Sequence, residues 1–332
     1  MNEIGPLTLK VEVEHWRLAN PFKITGYLWE TADVVLVSLG QDGHVGRGEA
    51  MGVYYRKETP DSIVKQIESL RERVEFGISR RSLQELLPCG GARNALDCAL
   101  WDLEAKLTRR PAWQIAQLNE PKPLRATFTL GADDPQRMAR AAIGVAHARA
   151  IKLKLTGEPM DAERIRAVRE ARPDVWLNVD ANQGLSVESL ERLMPVLMDN
   201  DVGLIEQPLP VGDERLLEGF HSPIPIAADE SVQGLADLPG LVGLFNVANI
   251  KLDKCGGLTE ALKMAHAARE LGLDIMVGNM IGTSLSTAPG FLVGQLCSVA
   301  DLDGPTILKS DRATPVQYAN GLLTCPKALW GY

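Results

Sequence analysis

Residues 151–180 read IKLKLTGEPMDAERIRAVREARPDVWLNVD. Two short apolar runs, 151–155 and 175–180, flank a charged stretch whose apolar residues recur at helical spacing. That is the pattern of a strand–helix–strand unit in a parallel sheet. The same beat continues outward in both directions. Further candidate strands lie at 126–130, 203–206, 225–229, 248–252, 274–277 and 298–302, which makes eight in all. Seven stretches between them carry helical spacing, most clearly 135–150 and 258–271, with Gly272 as a stop for the latter. Eight such units predict a closed barrel. Past Gly304 the beat breaks at Pro305, Pro315 and Pro326 and no amphipathic helix is visible. The barrel is therefore expected to lack its last helix, with residues 305–332 packing back toward the N-terminal part.

The first 120 residues read differently. Strand-like runs at 7–16, 32–39 and 45–49 come first, the last two joined by the turn Gln41-Asp42-Gly43-His44. Helical patterns follow at 60–74, 82–87 and 92–106. Strands followed by helices predict a separate α+β domain over 1–120 and a barrel over 121–304, divided near Pro121-Lys122-Pro123.

The net charge of −8 argues against a general partner among nucleic acids or anionic membranes. No secretory leader and no apolar run of membrane-spanning length is visible. Five scattered cysteines without paired spacing read as reduced thiols, so a cytoplasmic protein is expected. Nothing in the chain decides for or against a homo-oligomer.

In such a barrel, functional side chains stand at the C-terminal ends of the strands. Asp180, Glu206 and Asp229 end three consecutive strands. Neighbouring strand ends lie about 5 Å apart, so the three carboxylates can converge. Any one of them alone reads as a solvated residue or a helix cap. Three in phase would repel one another unless a cation sits between them, and an oxygen-only donor set favours Mg²⁺ or Mn²⁺.

Lys152 and Lys154 share a side of the second strand. Crowded ammonium groups lower each other's pKa, which predicts a lysine able to act as a base near neutral pH. Lys251 ends the sixth strand, opposite the second in barrel order. A substrate on the metal would lie between Lys154 and Lys251, one on each face. A proton α to a carboxylate is weakly acidic because its removal adds a second negative charge. A metal on those oxygens, with Lys152 in support, offsets that charge. Lys152 reads equally well as a structural partner of the acidic cluster.

These residues resemble the enolase superfamily, and within it the muconate-lactonizing-type subgroup. The segments that carry the resemblance are Ile151-Lys-Leu-Lys154, Val179-Asp-Ala-Asn182, Ile205-Glu-Gln-Pro208, Ala228-Asp-Glu-Ser231 and Asn249-Ile-Lys-Leu-Asp-Lys-Cys-Gly-Gly257. Arg93-Asn-Ala-Leu-Asp-Cys-Ala-Leu-Trp-Asp102 resembles the helix of that family's capping domain. The resemblance implies a modified TIM barrel, (β/α)7β, under an N-terminal α+β capping domain. It implies Mg²⁺ on Asp180, Glu206 and Asp229, and Lys154 and Lys251 as paired bases; enolase-superfamily sites combine such a base with Mg²⁺.

Ala300-Asp-Leu-Asp-Gly-Pro305 is similar to the Asp-x-Asp segment of the dipeptide epimerases. There the paired aspartates hold the substrate's α-ammonium group, so Asp301 and Asp303 are expected to select a dipeptide. The plain alternative for this segment is a turn before Gly304-Pro305. The family's mobile loop after the first strand corresponds to 21–30. It holds no arginine, which members of that family acting on Ala-Glu often carry there to meet the glutamate side chain; Lys23 could take that place, while Tyr27 and Trp29 suggest an apolar or aromatic pocket. Asn279 and Met280, after the seventh strand, are further candidates for substrate contact.

The expectation is an isomerase that inverts the α-carbon of a dipeptide's C-terminal residue. N-acylamino acid racemase, o-succinylbenzoate synthase and muconate cycloisomerase are alternatives on the same scaffold. None of these needs an ammonium clamp. A non-catalytic binding protein is the alternative of a different class.

Overall fold

The computed structural model describes residues 5–24 and 27–331, with the side chains of Lys23 and Ile24 left out. Strands β1 (Thr8–Ile24), β2 (Tyr27–Gln41) and β3 (His44–Ala50) form an antiparallel meander in the order β1-β2-β3. The described residues of the 21–30 stretch, 21–24 and 27–30, are strand and not free loop. β1 and β2 pair out to Ile24 and Tyr27, after a register shift between Arg17 and Phe22. Alternating pairs such as Phe22 with Trp29 extend the ladder, which charge and turn residues alone did not reveal.

Four helices follow, Pro60–Ser69, Arg71–Phe76, Arg80–Leu86 and Gly91–Thr108. The expected 60–74 helix is thus two, divided at Leu70. The last is buried along most of its length and packs on β2 and β3 through Ala95, Leu96, Ala99 and Leu103. Gly46 and Gly48 on β3 lie so close to that helix that a Cβ would come within 2.4 Å of its backbone. This close approach fuses sheet and helix into one apolar core.

β4 (Leu124–Arg125) leads into eight strands: β5 (Thr127–Leu130), β6 (Ala150–Lys154), β7 (Trp176–Asp180), β8 (Val202–Glu206), β9 (Ile226–Ala228), β10 (Val247–Lys251), β11 (Asp274–Gly278) and β12 (Val299–Asp301). They hydrogen-bond in sequence order, all parallel. The two ends of the sheet meet at the isolated bridge Ala126–Ala300, which closes the barrel. Every strand side chain alternates between inside and outside. Ile151, Leu153, Val179, Ile205, Ile250 and Val277 face outward into the main core beneath the helices. The inward set begins apolar, with Leu204, Ala227, Val247, Met276 and Val299 as a floor, and turns polar toward the C-terminal ends.

Five connections carry α-helices of ten or more residues. The two flanking β9 do not. They hold 3-10 turns at Glu214–Leu217 and Leu235–Leu241 where helical spacing had suggested α-helices. Pro208, Pro210 and Gly212 (φ +103°) precede the first, and Pro239 interrupts the second. The helix expected over 135–150 ends at Gly144, because β6 begins at Ala150.

After β12 a four-residue helical turn, Gly304–Ile307, replaces the eighth helix. Strands β13 (Gln317–Ala319) and β14 (Leu322–Thr324) then pair with each other, and β14 pairs with β4. Beyond them the Trp330 Nε1 donates to the main-chain oxygens of Arg47 and Cys98, and the Gly331 amide donates to Asp102. Cap and barrel also meet at Gly256-Gly257. Both have positive φ, and a Cβ on either would strike Arg93 or Asp97 of the cap helix. The Thr259 amide donates to Asp97 at 2.9 Å. No described helix is long and apolar enough to cross a membrane. All five cysteines are free thiols.

Candidate active site

Asp180, Glu206 and Asp229 stand at or just past the ends of β7, β8 and β9, and each is at most 1% exposed. One carboxylate oxygen from each lies within 4.8 Å of the others. Their remaining contacts follow one rule. On each, one oxygen is held by Asn182, Asn249 or Lys254 and the other faces Lys154, Lys152 or Lys251.

Asp180 Oδ1 accepts from the Asn182 amide at 2.9 Å, in a turn where Asn182 and Gln183 both take positive φ. Glu206 Oε1 accepts from Asn249 Nδ2 at 2.9 Å. Asp229 Oδ1 accepts from the buried Lys254 at 2.6 Å. The opposite oxygens meet Lys154 (2.6 Å, Asp180 Oδ2), Lys152 (3.2 Å, Glu206 Oε2) and Lys251 (2.6 Å, Asp229 Oδ2). Three buried carboxylates with one oriented oxygen apiece fit a hard divalent cation.

The charges respond accordingly. Burial alone would raise the Asp229 carboxyl, but Lys251 and Lys254 together hold it well below the usual range. Burial, with the Asp180 charge added, pushes Glu206 up. Lys152 and Lys251 are buried, which would lower them, yet the surrounding carboxylates lift both well above the ordinary lysine value. The expectation that crowded ammonium groups depress each other is therefore overturned for Lys152. Asp301, Glu206 and Asp180 outweigh its burial.

Lys152 pairs closely with Asp301 Oδ2 and reaches Glu206 and Asp180 at 3.2 and 3.4 Å. It bridges the carboxylate triad to the last strand. The other oxygen of Asp301, Oδ1, is buried and has no hydrogen-bond partner among the described residues. Asp303 Oδ2 accepts from the Thr129 amide at 2.6 Å, and burial beside Asp301 pushes its carboxyl up to about 6.

One pocket gathers Lys152, Lys154, Lys251, Asn182, Asn279, Met280, Asp301 and Asp303. Its outer wall is apolar, made by Phe22, Trp29, Met51, Tyr54, Ile281 and Ile307. Tyr27 stands behind this wall, its ring stacked on Trp29 (centroids 5.5 Å apart) and edge-on to Tyr54 (4.5 Å). The Lys23 side chain lies outside the described residues.

Sequence reasoning missed Tyr54, Asn249 and Thr129, and gave Lys254 no role of its own. The spacing of Asn249, two residues before Lys251 on the inward face, was the available signal for that residue. Tyr54 and Thr129 offered none, since each reaches the site through chain-distant packing.

A parallel barrel with a carboxylate triad and opposed lysines beneath an α+β cap defines an enolase-like protein. Residues 136–329 match the enolase C-terminal domain-like family, and residues 7–116 match the mandelate racemase / muconate lactonizing enzyme N-terminal domain. The chain belongs to this family. It is similar to an L-Ala-D/L-Glu epimerase of Escherichia coli (strain K12), at 40% identity over 95% of this chain and 99% of that one. It is also similar to an N-acetyl-D-glutamate racemase of Pseudoalteromonas sp, at 38% identity over 90% of this chain and 95% of that one. Among solved structures it superposes with TM-score 0.95 on an enolase family member from Agrobacterium tumefaciens with homology to dipeptide epimerases. That structure holds sodium and L-Ala-L-Glu; the pair are 39% identical, over 98% of this chain and 100% of that one.

Proposed function

We propose that this protein is a divalent-metal-dependent dipeptide epimerase that inverts the α-carbon of the C-terminal residue through two lysines. The observation that carries the reading is the shared pocket of Lys154, Lys251 and the Asp301–Asp303 pair, beside the carboxylate triad.

Asp180, Glu206 and Asp229 would hold Mg²⁺. When bound, the cation supplies positive charge against the second negative charge that develops on the substrate carboxylate, and it weakens the hold of the triad on the lysines. Lys154 on β6 and Lys251 on β10 come from opposite sides of the barrel. One takes the α-proton from one face of the carbon, and the other delivers a proton to the opposite face. Lys152 stays between the triad and Asp301, fixing both. The dipeptide's ammonium group is received by Asp301 Oδ1, a buried acceptor unpartnered among the described residues, with Asp303 beside it. The apolar wall of Phe22, Trp29 and Tyr54 excludes water from the reacting carbon.

The N-acylamino acid racemase reading finds support in the Pseudoalteromonas relative, but it leaves the two buried aspartates without an ammonium to bind. The test is incubation with a dipeptide library in D₂O with Mg²⁺, read by mass. One deuterium gained at the C-terminal residue's α-carbon, abolished by chelation, is expected. Exchange with N-acylamino acids and with no dipeptide would overturn it.

A further inference from the structure

The post-barrel tail reaches the pocket through a cluster that the proposed reaction does not use. Arg312 is nearly buried and has three anchors. Its Nη2 donates to Glu49 Oε2 at 2.6 Å, its Nη1 to Glu14 Oε1 at 3.0 Å, and its Nε to Thr283 Oγ1 at 2.9 Å. The guanidinium also lies over the Trp16 ring, 4.9 Å from its centroid. Glu49 is 1% exposed at the end of β3, and its Oε1 accepts from the Thr283 amide at 2.7 Å. The neighbouring Asp311 accepts from the Ser284 amide at 2.9 Å and from its hydroxyl.

Two carboxylates, one from the cap and one from the tail, thus satisfy the first amides of the helix Ser284–Gly294. Gly282 is packed against this cluster so tightly that a Cβ would stand 3.1 Å from Glu49 Oε1 and 2.5 Å from Ser286 Oγ.

The pinned segment matters for the pocket. Thr283 lies two residues beyond Ile281, the last of three consecutive residues (Asn279, Met280, Ile281) that line it, and Met51, two residues beyond Glu49, lines it as well. A buried charged hydrogen-bond network has few alternative geometries, because every donor left unmade is costly. We infer that Arg312 and Glu49 are positioning residues for the substrate. They clamp the segment after β11 against the cap, and so set the width of the pocket between Met51 and residues 279–281. Neither touches the lysines or the triad, so the clamp governs substrate affinity and not proton transfer. The inference rests on the epimerase reading for its kinetic part only.

The experiment uses the full chain with Arg312→Met, Arg312→Lys and Glu49→Gln. Arg312→Met is expected to raise KM for the dipeptide about tenfold or more, while kcat changes less than about threefold and Mg²⁺ affinity stays within about twofold. Arg312→Lys, which keeps the charge beside Glu49, recovers part of the KM. In parallel, hydrogen exchange in Arg312→Met and Glu49→Gln should accelerate at residues 280–284 and not along β6 to β10. An unchanged KM in a folded variant, a loss confined to kcat, or unaltered exchange at 280–284 would overturn the clamp. Should no dipeptide be a substrate, the epimerase reading fails, while the exchange result still decides the clamp.

Discussion

Lys254 donates to the main-chain oxygen and to Oδ1 of the same residue, Asp229, both at 2.6 Å, and to the main-chain oxygen of Asn249 at 3.0 Å. A lysine 1% exposed thus uses all three donors on the frame of two adjacent strands. Removing one partner of a buried ion pair strands the other, at a cost of about 3–5 kcal/mol. Lys251 still pairs with Asp229 at 2.6 Å, so Lys254→Met should lose less than that, about 1–3 kcal/mol, in denaturant unfolding without metal. Added Mg²⁺ should restore part of it, by returning positive charge to Asp229. A variant as stable as the parent would rule out this role.

Lys154 and Lys251 serve opposite faces of one carbon, so each is needed for inversion. Lys154→Ala and Lys251→Ala should each lower the epimerisation rate by roughly 10²–10⁴, the usual worth of a positioned acid or base. Both should retain the fold and Mg²⁺ binding by calorimetry. Full epimerisation in either variant would remove the two-base mechanism.

Asp301 Oδ1 is a buried acceptor awaiting a donor. Hydrogen bonds to charged groups contribute about 1.5–3 kcal/mol. Asp301→Asn should raise KM for a free-amino dipeptide by roughly tenfold to a hundredfold. Turnover of an N-acetylated dipeptide, already slow, should not fall in proportion. Equal losses on both substrates would argue against the ammonium clamp.

Asp97 joins the cap helix to the barrel, and its burial pushes the carboxyl up from 3.8 to about 6, against the opposing bond from Thr259. Its folded value lies above the unfolded one, so the protonated form favours the fold. The contribution is fully present below about pH 4 and is lost as the pH rises through about 6. Asp97→Asn should match the parent near pH 4 and exceed it by roughly 3 kcal/mol near pH 8. The Asn oxygen can keep the Thr259 amide, while the Gln84 amide, whose Nε2 donates to Asp97 Oδ1 at 3.3 Å, must turn over so that its oxygen accepts from the new nitrogen. Parallel stability curves against pH for the two proteins would contradict this assignment.

The strand ends were legible because β-structure alternates strictly. Once Lys152 and Lys154 point inward, Asp180, Glu206 and Lys251 must share their level of the barrel, and the structure gathers them there. The flanks of β9 were not legible, since the spacing of apolar residues in 210–220 resembles a helix while Pro210 and Gly212 preclude one. The hairpin through Phe22 and Trp29 was hidden for another reason. Its ladder is held by aromatic pairing across strands, and a stretch containing Pro21 and Gly26 reads as loop by composition. The Lys152 charge went the wrong way because the sequence shows which residues meet, but not how many oxygens the ammonium contacts. The Glu49–Arg312 contact joins residues 263 positions apart, and no local pattern announces such a meeting.

The bridge between Ala126 and Ala300 is where the barrel's first and last strands are joined, and the bond from the Thr129 amide to Asp303 spans the same seam. Asp301 and Asp303 both belong to its β12 side. A ligand held by these two aspartates would therefore sit on the joint that keeps the cylinder shut. Occupancy and closure then become linked equilibria: whatever tightens the ligand tightens the seam, and a barrel that breathes there loosens its grip on the ligand by the same free energy.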